Sequence, residues 1–490
     1  MKKKNLTLNQ NFALAVENYK NKNFKVAEDL CKKILSIDSN HFDSIFLSAT
    51  LAGMNANFSK AKEFLLKANE LKPNNLSVQN NLGNTYRELG EYKTAIETYE
   101  KAIKINSNHT SSHYNLGIAY YKLRELKKAK SSFQKTIALQ PNFVLAYFSL
   151  GNVHAELRES INAISCYQKA TELNPNLVGA YNNLGLVYRN LNDFSNAIKC
   201  YEKVIKIRPQ HAGAHHNMAL ALKEIGDFNK AIKSHESAIK LETENLTNYF
   251  YLSELKKEIL DESLKKKINK ILLDKKCQNR NKAYGNFLLA KFERKSKNYE
   301  KELEFLSEGH KFFFELNKVK FDLGIKYCFD DIQQIVKNAN VTISNKTNYN
   351  IKPIFIIGVP RCGSTLVEKI LASGKKNIPM GEESAVMENF VNKKILEKES
   401  VDLGNVNEIR KELFEIYKGK GLIFEKFNNT FTDKSLNNFF YINLIKDIYP
   451  NGKIINCSRD PLSSIISIFQ NNLSELAWTH NLEHIFKYFD

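Results

Sequence analysis

The chain has 490 residues, 43% of them hydrophobic, and Lys+Arg 72 against Asp+Glu 53 give a net charge of +19. That length suits about three domains of ordinary size, and no stretch reaches the roughly 18 uninterrupted apolar residues of a membrane-spanning helix. The opening Met1–Gln10 is basic with no apolar run behind it, so no secretory signal is expected.

Seven cysteines, Cys31, Cys166, Cys200, Cys277, Cys328, Cys362 and Cys457, are scattered without a CxxC pair. This argues against a disulfide framework or a cysteine zinc site, and suits a reducing cytoplasm. The positive charge is uneven: residues 351–490 carry 18 Lys/Arg and 17 Asp/Glu, leaving 54 and 36 for residues 1–350. A lysine-rich solvated surface is the first reading of that surplus and an acidic partner the second. Nucleic acid is not expected, because no basic run interleaves with aromatic residues.

A period of 34 residues runs through the first half. Ala27, Ala61, Ala95, Ala129, Ala163, Ala197 and Ala231 are each 34 apart. Twelve residues before each stands another small residue: Ala15, Ala49, Gly83, Gly117, Gly151, Gly185 or Ala219. Twelve residues after stand Pro73, Pro141, Pro175 and Pro209, with Ser39, Ser107 and Thr243 in the other repeats. Small residues let two antiparallel helices approach closely, and the proline stops the second helix. Aromatics at the same period, Tyr99, Phe133, Tyr167 and Tyr201 among them, fill the space between helices. Period, small residues and closing proline resemble the tetratricopeptide (TPR) family, over residues 9–245 in seven repeats.

The resemblance implies an α-solenoid, a superhelix that binds protein or peptide on its concave side. Asn81, Asn115, Asn183 and Asn217 share one repeat position, interrupted by Ser149. A ladder of amides there resembles TPR proteins that hold an extended peptide by its backbone, since an amide both donates and accepts. The competing reading pairs these asparagines between neighbouring repeats. His211 and His215 are four apart, with His216 adjacent; that spacing suits zinc, but no third ligand is apparent and no metal is expected. Residues 246–350 lose the register and read as a helical cap or linker containing one degenerate repeat.

Near residue 351 the pattern changes. Pro353–Gly358 is a short apolar run of buried parallel-strand type. The loop Val359–Thr365 follows, and then Leu366–Ala372 has helical spacing. Strand, glycine loop and helix together form an anion-binding arrangement. The nucleotide P-loop requires Lys after its second glycine, where Ser364 stands. The sequence Pro360-Arg361-Cys362-Gly363-Ser364-Thr365-Leu366 instead resembles the 5′-phosphosulfate loop of sulfotransferases, which use 3′-phosphoadenosine 5′-phosphosulfate (PAPS). Lys453–Ser458 reads as a second strand and runs into Arg459, with Ser467 eight residues later. In that family such an Arg and Ser bind the cofactor's 3′-phosphate.

The resemblance implies the rest of the site. Arg361, Cys362, Gly363, Ser364, Thr365, Arg459 and Ser467 would bind PAPS, with Arg361 toward the 5′-phosphate. Glu382, in Gly381-Glu382-Glu383-Ser384, would be the base, with Glu383 as fallback, and Lys434 would stabilise charge on the sulfuryl group. Trp478 and His480 read as structural. About 140 residues from strand to last residue is short for such a domain. Truncation, completion by a second chain, or weakened activity are the expectations that follow. The expected architecture is therefore a TPR array, then an α/β P-loop-like module with a parallel sheet over 351–490. The expected activity is PAPS-dependent transfer to a protein tyrosine, peptide or glycan hydroxyl. The alternative is a non-catalytic TPR scaffold carrying a vestigial module.

Overall fold

The computed structural model describes residues 7–332, 334–335, 340–342, 351–373, 378–381, 383–398, 402–423, 430–471, 473 and 476–489. The chain divides into two compact units, 1–242 and 243–490. A helical solenoid is followed by a mixed α/β region with a small parallel sheet, the fold class that the sequence implies. Among the described residues no helix is long and apolar enough to cross a membrane.

The first unit is a run of helices from Leu8–Lys20 to Phe228–Leu241, two per 34-residue repeat. Most first helices start on a side-chain cap. Thr7 and Gln10 form a capping box, and the Asn75 side chain accepts from the Val78 N–H. At the same repeat position His41, His109 and His211 accept a backbone N–H through the imidazole ring. His211 is thus a helix cap, and His215 bonds the Pro209 carbonyl at 3.1 Å. Between the two helices of each repeat the chain turns through one left-handed residue: Lys22, Ala56, Gly90, Arg124, Arg158, Asn192 or Gly226.

Packing between the helices explains the small-residue pattern. A Cβ added to Gly83, Gly117, Gly151 or Gly185 would lie 2.6 Å from the ring of Tyr99, Phe133, Tyr167 or Tyr201 respectively. Those four rings are buried, so each glycine is the hollow into which one aromatic fits.

In the second unit, helices Leu246–Leu255, Glu262–Leu273, Asn279–Lys295, Tyr299–Leu316 and Lys318–Lys326 precede the sheet strands. Strand β1 (Asn340–Thr342) pairs in parallel with β3 (Asp402–Asn405). Strand β2 (Ile354–Ile357) lies between β4 (Thr432–Asp433) and β5 (Lys453–Asn456), all parallel. All four residues of β2 are buried, as its unbroken apolar run requires.

Residues 246–329 share one apolar core with the last helices of the chain: Phe287, Phe313 and Phe321 pack in one cluster with Phe469, Trp478 and Tyr488. Trp478 stacks on Tyr488 at 3.8 Å between centroids. A buried histidine pair joins the same elements. His310 Nε2 is 2.7 Å from the Phe469 carbonyl, which only accepts, so that nitrogen carries the proton. His310 Nδ1 therefore accepts from His480 Nδ1 at 2.8 Å. Burial pushes His310 down to about 4; burial and then its neighbour His310 push His480 down to about 3.

Candidate functional site

Strand β2 ends at Gly358, where φ is 150°. A Cβ there would lie 2.4 Å from the Cys457 carbonyl oxygen and 2.7 Å from Cys362 Sγ. Only glycine lets the loop pass this close to the end of β5. Burial, then the neighbouring Cys362 thiol, pushes the Cys457 thiol up. The loop next turns on left-handed Arg361 (φ 68°) and Gly363 (φ 97°).

Gly363 is the N-cap of helix Ser364–Ala372, and no side chain caps that end. Leu366 and Val367 N–H groups bond back to the Gly363 carbonyl at 3.0 and 3.2 Å. Ser364 and Thr365 N–H have no carbonyl within the helix to bond, and the helix dipole adds positive potential where they point. Arg361 Nε donates to Ser467 Oγ at 3.2 Å, and Arg459 Nη1 donates to the Arg361 carbonyl at 3.4 Å. Ser467 lies on helix Pro461–Gln470, begun by Pro461 and by Asp460, whose carboxylate accepts from the Ser463 N–H at 2.7 Å. Arg361 and Arg459 are both exposed. Two guanidiniums, a hydroxyl and an uncapped helix end thus meet in an arrangement that suits a phosphate or sulfate oxygen.

On the other side of β2, β4 ends in Asp433, fully buried. Its carboxylate accepts five hydrogen bonds: Tyr417 Oη at 2.7 Å, Ser384 Oγ at 3.1 Å, Ser435 N at 3.0 Å, Ser435 Oγ at 2.6 Å and Asn438 Nδ2 at 2.9 Å. Burial and then the Asp433 charge push the Tyr417 phenol well up. Asp433 ties the segment carrying Ser384 to the strand end. Gly381 lies so close that a Cβ would be 2.0 Å from the Thr432 carbonyl. Lys434 is 8% exposed, and its Nζ donates to exposed Glu383 at 3.1 Å.

Because β4, β2 and β5 are parallel neighbours, Lys434, the 358–363 loop and Arg459 all leave the same carboxyl edge of one sheet. Ligands of open α/β sheets bind at that edge. Arg361, Cys362, Gly363, Ser364, Thr365, Arg459 and Ser467 are gathered around the loop, Lys434 follows the adjacent strand, and Glu382 lies outside the described residues. Among the described residues no three His, Cys, Asp or Glu side chains are grouped to hold a metal ion.

Three of the four repeat asparagines are bonded between repeats. Asn115 Nδ2 donates to Asn84 Oδ1 and Asn183 Nδ2 to Asn152 Oδ1, each at 2.9 Å, while Asn217 reaches Asn182 at 3.4 Å. Of Asn81 the backbone carbonyl is engaged, by Thr85 Oγ1 at 2.9 Å. Sequence reasoning missed the acceptors Asn84 and Asn152. They follow the glycine in repeats whose later aromatic is Tyr99 or Tyr167, whereas Ile118 stands there in the repeat with Phe133. Reading those two positions together would have found them.

A model of the sulfotransferase family matches residues 353–488. Tetratricopeptide models match 83–123, 162–191, 111–143, 178–211, 64–97 and 200–233. The chain is a TPR repeat array fused to a sulfotransferase-like domain.

An uncharacterized protein of Aquifex aeolicus (strain VF5) is 26% identical to this TPR–sulfotransferase-like chain over 206 residues, covering 39% of this chain and 26% of that protein. The chain thus spans about a quarter of that relative's length. Solved structures similar to the array include the MamA protein, 29% identical, covering 35% of this chain and 94% of that one with a TM-score of 0.33. YrrB, described as a TPR protein with an unusual peptide-binding site, is 24% identical over 38% of this chain and 95% of its own, TM-score 0.35. The C-terminal part of a TPR protein from Cytophaga hutchinsonii is 19% identical, covering 49% and 98%, TM-score 0.42.

Proposed function

We propose that this chain is a protein-interaction scaffold whose TPR array holds a protein or peptide partner, and whose sulfotransferase-like module keeps the family's anion cradle without turning over. The observation that carries this reading is the closed state of the charged pair beside the cradle: Lys434, the candidate for charge stabilisation, is bonded to Glu383, the neighbour of the expected base Glu382 and its fallback. The array occupies half the chain in unbroken register, which supports binding as the principal task. The cradle fits a 3′-phosphoadenosine nucleotide in its donor set: Arg361 and the N–H groups of Ser364 and Thr365 for one phosphate, Arg459 and Ser467 for the other.

A second reading is sulfuryl transfer, favoured by the meeting of the three strand ends at one sheet edge. PAPS would supply the activated sulfuryl group. The acceptor oxygen–sulfur bond would form as the sulfur–oxygen bond to the 5′-phosphate breaks, with 3′-phosphoadenosine 5′-phosphate (PAP) leaving. Glu382 would take the acceptor's proton, and Lys434, released from Glu383, would meet charge on the departing oxygen.

Calorimetry with PAP, followed by PAPS turnover with tyrosine-peptide and glycan acceptors, separates the two. The scaffold reading expects PAP binding that is lost in Arg361→Ala, and no transfer by the intact chain. Transfer by the intact chain that Arg361→Ala abolishes would replace the scaffold reading by the catalytic one.

A further inference from the structure

All seven cysteines are free thiols, and two of them meet at the anion loop. A single point beside Gly358, where a Cβ would stand, is 2.7 Å from Cys362 Sγ and 3.3 Å from the Cys457 Cβ. The missing side chain of Gly358 thus leaves the two cysteines one shared space. Within it the Cys362 thiol is the hydrogen-bonding neighbour of the Cys457 thiol. The anion cradle uses neither sulfur, since its donors are guanidiniums, a hydroxyl and N–H groups.

The two cysteines differ in reach and in freedom. Cys457 is buried, and its N–H bonds the Ile357 carbonyl at 2.8 Å, just beyond the paired residues of β2 and β5. It is anchored to the sheet. Cys362 is half-buried, and its N–H bonds the Val359 carbonyl at 3.2 Å. It stands between Arg361 and Gly363, both left-handed. Arg361 holds that conformation only through its surroundings. Solvent therefore reaches the loop cysteine first, and the loop cysteine is the one that can move.

We propose that Cys362 and Cys457 are an oxidation site, at which hydrogen peroxide joins them in a disulfide that draws the anion loop onto the end of β5 and releases a bound anion. The Cys362 sulfur attacks one peroxide oxygen, the O–O bond breaks, and water leaves. That sulfur is oxidised to a sulfenic acid as the peroxide is reduced. The Cys457 sulfur then attacks it: the S–S bond forms, the S–O bond breaks, and the hydroxyl departs with the Cys457 proton as a second water. Two thiols and one peroxide give one disulfide and two waters, and a dithiol reverses the bridge by exchange.

A disulfide holds its sulfurs about 2 Å apart, well inside any contact between free thiols. Because Cys457 is anchored, the loop must yield. Displacing Cys362 also moves its neighbours, Arg361, whose side chain and carbonyl meet Ser467 and Arg459, and Gly363, the N-cap of helix Ser364–Ala372. This rests on the reading of the loop as an anion cradle, and adds a covalent state in which the cradle lets go.

The test treats the reduced full chain with hydrogen peroxide, blocks the remaining thiols and digests it without reduction. Mass spectrometry should find a peptide pair linked through Cys362 and Cys457 that dithiothreitol separates. Hydrogen exchange across residues 358–367 should slow in the oxidised chain and recover on reduction. Calorimetry should show PAP affinity falling about tenfold, the loss of one charge-assisted hydrogen bond. In Cys457→Ser and in Cys362→Ser, each melted to confirm folding, peroxide should form no such link and leave each variant's own PAP affinity where it was. Oxidation of Cys362 to a sulfinic acid with no link to Cys457, or peroxide that leaves both thiols free, overturns the pair. A complete link with unchanged PAP affinity overturns its hold on the cradle. A reduced chain that binds no PAP would defeat the cradle reading instead, and the thiol pair would then stand or fall on the link and the exchange.

Discussion

The two halves of this molecule hold themselves together in opposite ways. In the array one contact recurs: a glycine on the first helix receives an aromatic ring from the second, at Gly83, Gly117, Gly151 and Gly185. Each instance matters to its own repeat and its neighbours, as in any solenoid. In the second unit the decisive contacts occur once. Asp433 gathers Tyr417, Ser384, Ser435 and Asn438, and the buried His310–His480 pair, with Gln470 donating to Glu302, bonds helix Tyr299–Leu316 to the final helices. A single change should therefore do more damage in the second unit than in the array.

The largest expected effect follows from Asp433. Replacing it by alanine takes from five donors of four residues the carboxylate they share, at a cost on the order of 3–5 kcal/mol. The chain has one tryptophan, Trp478, and it lies in the second unit. Urea unfolding followed by its fluorescence should move to much lower denaturant in Asp433→Ala. The array's far-ultraviolet circular dichroism should hold its transition. If the two signals shifted together, the units would not be energetically separate and the comparison would break.

Acid comes next. His310 and His480 are held neutral in the folded unit, with values pushed down to about 4 and about 3, whereas unfolded histidines titrate near 6.5. The unfolded state therefore takes up protons below about pH 6.5 that the folded state refuses, so stability is complete above that pH and falls as pH drops toward 4. The loss should amount to a few kcal/mol, at about 1.4 kcal/mol per pKa unit. Urea midpoints of the tryptophan signal at pH 7.5, 6 and 5 measure it. Replacing His310 by Gln and His480 by Asn should flatten the profile, and an unchanged slope in that variant would place the acid sensitivity elsewhere.

A smaller effect belongs to the array. In Gly151→Ala the new methyl lies 2.6 Å from the buried Tyr167 ring, which must shift against its neighbours. Overpacking of this kind costs about 1–3 kcal/mol, and the gain in helix propensity returns roughly 1 of them. A drop of only a few degrees in the array's melt is expected, with the tryptophan signal unmoved.

The same contrast explains what was legible in the sequence. Ala27 and its six equivalents, with the glycines before them, announced the array because repetition turns packing into a period. The left-handed turn residue was not legible: it is glycine only at Gly90 and Gly226, and elsewhere Lys22, Ala56, Arg124, Arg158 and Asn192 accept the strain. The apolar run into Gly358 and the Arg361–Thr365 loop marked the anion cradle, since a buried parallel strand and a glycine loop leave local signatures. The Asp433 network left none. Its members lie at 384, 417, 433, 435 and 438, and nothing in their spacing says that one carboxylate collects them. The Lys434–Glu383 bond depends likewise on how Gly381 and Ser384 lie against β4, a tertiary fact.

The smallest effect is the most discriminating. If Asn84 and Asn152 are what satisfies Tyr99 and Tyr167, then supplying the same residue in the sixth repeat should help rather than harm. Leu186→Asn exchanges a half-buried apolar side chain for an amide of nearly equal size, placed to accept from the Tyr201 hydroxyl and from Asn217. Two hydrogen bonds gained, set against one apolar group lost, should leave the array about 1 kcal/mol more stable. The control is Ile118→Asn in the fourth repeat, where Phe133 has no hydroxyl to offer. That change should destabilise. Opposite signs for one kind of substitution at one repeat position would show that the array is stabilised by pairs of positions read together, and equal signs would show that the asparagines do not depend on the aromatic they face.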